Sequence, residues 1–532
     1  MNIDRNIIKE SAPIEDNHTA SPENRSLPEY DYTDLGMSKL WKSMFGDKYV
    51  KIPELNEWFY FNDHKWVMDQ SGLRVKNTIE QMLTFIATEG KEIKHRLCTL
   101  ESSLNIFSKK ELQKIGLQTD GHKSLWELYE LYEANVRWYK AIQSKSRIEA
   151  FIALACQMGA NLDYVLFDSK GRHMGVRNGC VNLNSGELTQ GDPKYLITKS
   201  ANADYEPSAE CPNWVAFLNQ IFSGDTETIA FMQRVAGESL LGDDCKTKLL
   251  IFSGSGANGK STYIDCLIAL LGDYASVTSP DAIMAGNMSN SYYLAGLKGS
   301  RLGVFNETRA NAELDSQMIK QLVDSGRLQA RQIYGKPFEF QPVITPILIT
   351  NNPPIINAEP AISRRLLCVK FDYTIPEDQR DPNFIKNKLK PELSGILNWA
   401  IEGCKEYLEH GGLNPPESIL KATKEYIFEH DRVLKYVTES FDKGPSSKIA
   451  VKAFHKEYVD WCDDLEFESC SSKKLNQRLR SMGYEVKIST GNVYYVFGLA
   501  RKSTGDKNVI SITRDSAGKR ALTDSFDDLV EY

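Results

Sequence analysis

The run Gly254-Ser255-Gly256-Ala257-Asn258-Gly259-Lys260-Ser261-Thr262 carries glycines, a lysine and a hydroxyl at G-x-x-x-x-G-K-[ST] spacing. That pattern suits a triphosphate. Glycines let backbone N–H groups turn inward around a β-phosphate. A helix starting at the loop adds the partial positive charge of its N-terminus. Lys260 reaches the β- and γ-phosphates, and the Ser261 hydroxyl ligates Mg²⁺. The motif specifies a nucleoside triphosphate over residues 254–262 and leaves the reaction open.

Further candidates follow in the chain. Glu307 ends the apolar run Arg301–Phe305, placed to orient Mg²⁺ or an attacking water. Asn351 ends the run Thr345–Thr350. Its amide either holds water against a γ-phosphate or belongs to a simple turn, since Asn and Pro favour turns. Arg364 and Arg365 precede the apolar run Leu366–Phe371. They either meet the charge that develops in phosphoryl transfer or form a solvated basic pair. Lys336 sits at the expected tip of a hairpin over 328–340. It contacts a single-stranded backbone or lies on a bland turn.

These residues need a frame to hold them. Across 236–385, short apolar strands (248–252, 301–305, 345–350) alternate with helices, among them 261–271, which predicts an α/β domain with a parallel sheet. At about 150 residues per domain, the 532-residue chain implies three or four domains. Residues 1–34 hold eight acids against three bases and read as a disordered tail. Residues 35–235 form an α+β region. It includes an aromatic strand pair near 57–66, long helical periodicity over 75–160 and a hairpin over 177–186. Residues 386–440 are helical, 445–505 form a small helical unit closed by a hairpin over 485–497, and 506–532 are a tail.

The order GSGANGKST, RLGVFNET, QLVDSGRLQARQIYGKPFEFQP, ILITNNPP, AISRRLLCVKF resembles the superfamily 3 helicase domain of phage and plasmid primase–helicases, a branch of the AAA+ ATPases. The upstream block VRNGCVNLNSGELTQGDPKYLITKSANADYEPSAECPNWVAFLNQIF is similar to that preceding the ATPase in this family, which poxvirus-type helicase–primases share. The resemblance implies ATP and Mg²⁺ as cofactors and a ring, a homo-hexamer, that translocates on DNA. Lys260 and Ser261 would bind phosphate and metal, and Glu307 would be the acid and second metal ligand. Asn351 would be the sensor, Arg364 or Arg365 a finger onto a neighbouring subunit's ATP, and Lys336 a DNA contact in the channel. Many AAA+ proteins carry a first acid where Asn306 stands here, so Glu307 serves metal and water alone or with a distant carboxylate such as Asp315.

Residues 471–520 hold eleven bases against three acids, a net +8 in a chain of net charge −7. That is the local footprint of phosphate contact, although a solvated basic face has the same composition. Lys473, Lys474, Arg478 and Arg480 fall on a helix over 472–482 and are expected to be exposed. The unit resembles the winged helix that often closes such proteins. No Asp-x-Asp pair holds two metals as a polymerase-type primase requires, and no Cys-x-x-Cys suggests a zinc ribbon, so primase activity is not expected from this chain. Scattered cysteines, no apolar run of about 18 residues and no secretory leader point to a cytoplasmic protein, and the resemblance implies one encoded by a phage or mobile element in a bacterial host. The expected partners are single-stranded and forked DNA and other replication proteins, a separate primase among them, with no membrane. The rival readings are an initiator or scaffold that uses ATP only to assemble on DNA and, third, a small-molecule P-loop kinase.

Overall fold

The computed structural model describes residues 30–502 except 159–160, 170, 243–246, 287–289, 310–311, 325, 332–336, 357–359 and 466. Two compact units divide the chain: residues up to 167 with 191–198, and residues 168–190 with 199 onward. The boundary falls inside the 35–235 region that the sequence suggests as one block.

The first unit packs α1 (Asp34–Phe45), α2 (Leu73–Leu104), α3 (Lys109–Ile115), α4 (Asp120–Ile142) and α5 (Lys145–Gln157) with an antiparallel sheet of β1 (Tyr49–Ile52), β2 (Glu57–Phe61) and β3 (Trp66–Met68). Helix α2 buries a stripe at Val75, Ile79, Met82, Ile86, Ile93 and Leu97, spaced by three, four and seven residues as one helical face requires. Asn135 of α4 is buried and donates to the Ile86 carbonyl at 3.2 Å. The tail expected over 1–34 ends sooner. Tyr30 is buried and its hydroxyl donates to Glu89 at 2.6 Å, so burial of an aromatic ring outweighs the acidic composition around it.

The second unit opens with the antiparallel strands β4 (His173–Val176), β5 (Gly179–Asn182) and β6 (Glu187–Thr189) and the helices α6 (Pro212–Ile221) and α7 (Thr226–Glu238). Then come β7 (Leu249–Ser253), α8 (Lys260–Leu271), β8 (Ala275–Thr278), α9 (Asn290–Ala295), β9 (Leu302–Asn306), α10 (Ser316–Val323), the hairpin β10 (Leu328–Arg331) and β11 (Pro337–Phe340), β12 (Thr345–Thr350), α11 (Pro360–Ser363) and β13 (Leu366–Lys370). Five of these strands pair in the order β13-β7-β12-β9-β8, every pair parallel. The two strands that the sequence does not single out are β13 and the short, half-exposed edge strand β8. Strands β7, β9, β12 and β13 are apolar on both faces because helices cover both, the usual state of a parallel sheet.

Helices α12 (Leu393–His410), α13 (Glu417–His430) and α14 (Arg432–Ser440) follow. Before α12, Glu392 accepts from the backbone N–H groups of Asn213 and Trp214 at 3.1 Å and so caps α6. Helix α12 lies tightly against α7: a Cβ on Gly237 would stand 2.1 Å from the Cys404 nitrogen. The last unit has β14 (Phe441–Ala450), α15 (Val451–Asp464), α16 (Ser472–Ser481), β15 (Glu485–Ile488) and β16 (Tyr494–Arg501), with antiparallel strand order β14-β16-β15 around its own core. Strand β14 is an addition to the helix-and-hairpin reading of this region. The tail expected over 506–532 lies outside the described residues.

Glu238 at the end of α7 is 2% exposed, and neither carboxylate oxygen has a hydrogen-bond partner of normal geometry. Burial pushes its pKa up to about 8, and nearby hydroxyls of Thr247, Tyr407 and Thr345 offset this only in part. A carboxyl raised in the folded state and ordinary in the unfolded one weakens folding as pH rises from about 4.5 to about 8. Glu238→Gln should therefore raise the melting temperature by several degrees at pH 8 and leave it nearly unchanged at pH 5. An equal shift at both pH values would show that the carboxyl is ionised in the folded protein.

Candidate functional site

Strand β7 delivers the chain into the glycine-rich loop, and α8 begins at Lys260 with Gly259 as its left-handed cap. Ala257 also takes a left-handed conformation, at φ 49°. Gly254 is needed for closeness. A Cβ there would stand 2.2 Å from the Asn258 amide nitrogen and 2.6 Å from the Phe371 carbonyl. Asn258 is buried and donates to that carbonyl at 3.0 Å, tying the loop to the end of β13.

Lys260 is 4% exposed. Its ammonium donates to the Gly254 carbonyl at 2.8 Å, to Asn258 Oδ1 at 3.1 Å and to Asn351 Oδ1 at 3.2 Å. Burial lowers its pKa, and the three bonds go to neutral oxygens. The site therefore holds a partly desolvated cation with no carboxylate bonded to it, an arrangement that a phosphate would complete.

A cavity of about 390 Å³ opens here. Loop residues 256–262, Glu307, Thr350 and Asn351 line one side. Register explains the convergence. Ser253 pairs with Thr350, and Ile349 with Asn306, so three parallel strands end level with one another. Beyond those ends the strands are locked: the Thr308 and Thr350 hydroxyls lie 2.7 Å apart, and Thr350 donates to the Asn352 carbonyl at 2.9 Å. Glu307 is exposed to the cavity and holds a left-handed φ of 57°, a costly conformation for a residue with a side chain. Its N–H donates to the Ile349 carbonyl at 2.9 Å.

Asp315, the suggested helper carboxylate, does not line this cavity. It caps α10, accepting from the N–H groups of Gln317 and Met318 at 2.8 and 3.0 Å. Among the described residues no cluster of three or more His, Cys, Asp or Glu side chains has metal-ligand geometry. A Mg²⁺ held by Ser261, Glu307, phosphate oxygens and water fits such a site.

The other wall was not legible in the sequence. After β13 the chain turns back over the loop, and Ile375 N–H donates to the Ala257 carbonyl at 2.8 Å. Gln379, Arg380, Asp381 and Phe384 then line the cavity beside Phe217 and Gln220 of α6. Gln220 Nε2 donates to Gln379 Oε1 at 2.9 Å. The local signal, PEDQRDP, reads only as a polar turn.

The two arginines separate. Arg365 is largely buried and makes two hydrogen bonds to Asp324, one of 2.9 Å. Arg364 is exposed, and its side chain has no partner among the described residues. Both sit at the amino edge of the sheet, since Leu366 pairs with Leu249. The glycine-rich loop leaves the opposite edge, about 16 Å away for a five-residue strand. Neither arginine is placed to serve its own chain's loop.

Lys336 lies outside the described residues; the strands on either side of it, β10 and β11, do pair. In the C-terminal unit, Arg478 corrects the expectation of an exposed basic face. Its side chain is buried and forms an ion pair of 2.6 Å with Asp431, which also caps α14. It faces inward because Leu475, Arg478 and Leu479 share one stripe of α16 at helical spacing. Other bases are neutralised as well. Lys474 pairs with Glu313 at 3.2 Å, Lys487 with Glu485 at 2.8 Å, and Arg501 with Glu457. Lys473 and Arg480 stay exposed without a carboxylate among the described residues. Lys507, Arg514, Lys519 and Arg520 lie outside them.

The fold and site define an α/β protein with a parallel sheet and a glycine-rich strand-to-helix loop. Residues 38–223 match the family described as D5 N terminal like, and residues 252–365 match a family of unknown function, DUF5906. A mimivirus protein named as a putative helicase, from Acanthamoeba polyphaga mimivirus, is 23% identical over 443 residues, 78% of this chain and 44% of that protein. A Frog virus 3 protein named as a putative helicase is 26% identical over 269 residues, 46% of this chain and 27% of that one. One of African swine fever virus, named as a putative primase, is 27% identical over 318 residues, 54% of this chain and 31% of that one. The chain thus spans less than half the length of these relatives. The solved apo structure of the C-terminal region of NrS-1 superposes with a TM-score of 0.36 at 14% identity, covering 56% of this chain and 78% of that one. The chain is thus similar to viral proteins named as putative helicases and as a putative primase. No described helix is long and apolar enough to cross a membrane.

Removing a buried ion-pair partner leaves an uncompensated charge, worth about 3–5 kcal/mol. Arg478→Ala should lose stability of that order in urea denaturation, while Lys473→Ala should stay within about 0.5 kcal/mol of wild type. Equal stability of the two variants would return Arg478 to the surface.

Proposed function

We propose that this chain is an ATP-driven DNA helicase of the superfamily 3, AAA+ type, working as a ring, a hexamer, in the replication of a virus or mobile element. The observation that carries this reading is the single cavity in which Lys260, Ser261, Glu307 and Asn351 meet. Lys260 and the loop N–H groups hold the phosphates, with Ser261 and Glu307 turned to Mg²⁺. Bound Mg²⁺ supplies charge neutralisation at the transferring phosphoryl group. Glu307 orients a water in line with the γ-phosphate, and Asn351 fixes that water or the γ-phosphate itself. Asn351 Oδ1 accepts from Lys260, so the sensor amide lies against the phosphate-binding ammonium.

Arg364 is the finger in this reading, presented to the next subunit's cavity from the far edge of the sheet. Arg365 is a positioning residue that holds α10 through Asp324. A route to the C-terminal unit leaves the sensor. Tyr426 of α13 donates to the Pro354 carbonyl at 2.7 Å, and α13 ends at Asp431, which holds Arg478 of α16. In this reading ATP is the cofactor and single-stranded and forked DNA the partner. A separate primase would supply the chemistry for which this chain has no paired carboxylates.

Glu307→Gln should bind a fluorescent ATP analogue as wild type does and lose at least about a hundredfold in hydrolysis. It should also stop ATP-dependent strand displacement on forked DNA. Normal turnover in that variant would remove Glu307 from the reaction. Arg364→Ala mixed into wild type should depress ATPase activity more steeply than its mole fraction. A proportional decline would rule out action between subunits.

A further inference from the structure

The hairpin that closes the C-terminal unit has an apolar end. Along β15 and β16 the residues facing the core alternate with those facing out, and Val486 pairs with Val496, 7% and 0% exposed. One step further on the same face, Ile488 pairs with Tyr494, and each is 50% exposed. Val493, beside them, is 37% exposed. The hairpin therefore runs past its core, and its last cross-strand pair stays half exposed. Packing within the unit gives no reason for it.

Cations without a carboxylate partner stand next to this end. Lys448 donates to Thr490 Oγ1 at 2.8 Å, in the hairpin turn, and lies 4.9 Å above the Tyr495 ring. Arg480 of α16 donates to the Val486 carbonyl at 3.1 Å, two residues from Ile488. Lys487 is not counted, because Glu485 neutralises it. Apolar side chains on one face of the hairpin end, with Arg480 bonded to its strand and Lys448 reaching its turn from the other face, match a ligand that offers flat apolar faces and phosphates together. Nucleic acid with an unpaired or terminal base pair has that chemistry, because stacking needs an exposed base face and the cations need a backbone.

We propose that the 488–494 hairpin end is a DNA-junction contact: Tyr494 and Ile488 stack against the base face exposed where duplex meets single strand, while Lys448 and Arg480 hold the adjoining phosphates. This rests on the reading that the chain acts on DNA and names the part of DNA that the C-terminal unit contacts. It also assigns the work to residues other than the α16 bases Lys474 and Arg478, which are paired internally.

The test uses the full chain without nucleotide, and measures anisotropy with forked DNA and with a blunt duplex of the same sequence. Tyr494→Ala should lose roughly tenfold of the preference for the fork, and Tyr494→Trp should keep it. Lys448→Gln should weaken both ligands and reduce the salt slope of the affinity by about one. A 2-aminopurine at the junction should be quenched by wild type and not by Tyr494→Ala. Melting curves would confirm that the variants fold, as expected for a side chain half exposed. A folded Tyr494→Ala with unchanged fork preference and quenching would overturn the junction contact and leave the helicase reading standing. Failure of the wild-type chain to bind either DNA would overturn that reading, and the junction contact with it.

Discussion

Parallel pairing of β7, β9 and β12 is the constraint on which the site depends. Parallel strands leave their carboxyl ends at one edge, and here Ser253, Asn306 and Thr350 end in register. Three loops separated by tens of residues then emerge side by side. Both faces of β7, β9 and β12 are buried, so a slip of one residue would misfit close-packed side chains on each face, and that packing holds the register that brings Lys260, Glu307 and Asn351 together. Site geometry and core packing are one constraint here.

Charge is handled differently at the two ends of the second unit. At the glycine-rich loop, a buried lysine is bonded to neutral oxygens alone, and its positive charge stays available to an anion. Within 471–502 most bases already meet an acid. Arg478 and Asp431 form a buried pair that anchors α16 to the start of α14. Such a pair fixes position more than it adds stability, because desolvation offsets much of the attraction. The local excess of +8 therefore overstates the positive field of the described surface, since pairing with Glu313, Glu457 and Asp431 uses acids from outside the counted stretch.

The connection between these ends runs through short polar contacts on a rigid frame. The loop after β12 bonds to α13 through Pro354 and Tyr426, and α13 leads directly into Asp431. Residues 313 and 314 join the same frame, since Leu314 N–H donates to the Ile355 carbonyl at 3.0 Å and Glu313 reaches Lys474. The loop after β9 thus meets the C-terminal unit directly through Glu313 and Lys474, and the loop after β12 meets it through α13.

The sequence by itself determined the loop, three of the five parallel strands, and the candidates Lys260, Ser261, Glu307 and Asn351. Each of these leaves a local signature: glycine spacing, a continuous apolar run, or a polar residue where that run stops. Tertiary structure decided the rest, because the rest depends on partners far away in the chain. The wall formed by Gln379, Arg380 and Asp381 exists only because Ile375 bonds back to Ala257. Arg364 and Arg365 are adjacent and chemically alike, and only Asp324 distinguishes them. The helical pattern of 472–482 places charges on a helix without saying which one faces a buried aspartate, so Arg478 looked exposed. Composition counts charges one at a time, while folding pairs them across space, and that pairing is invisible until the chain has closed on itself.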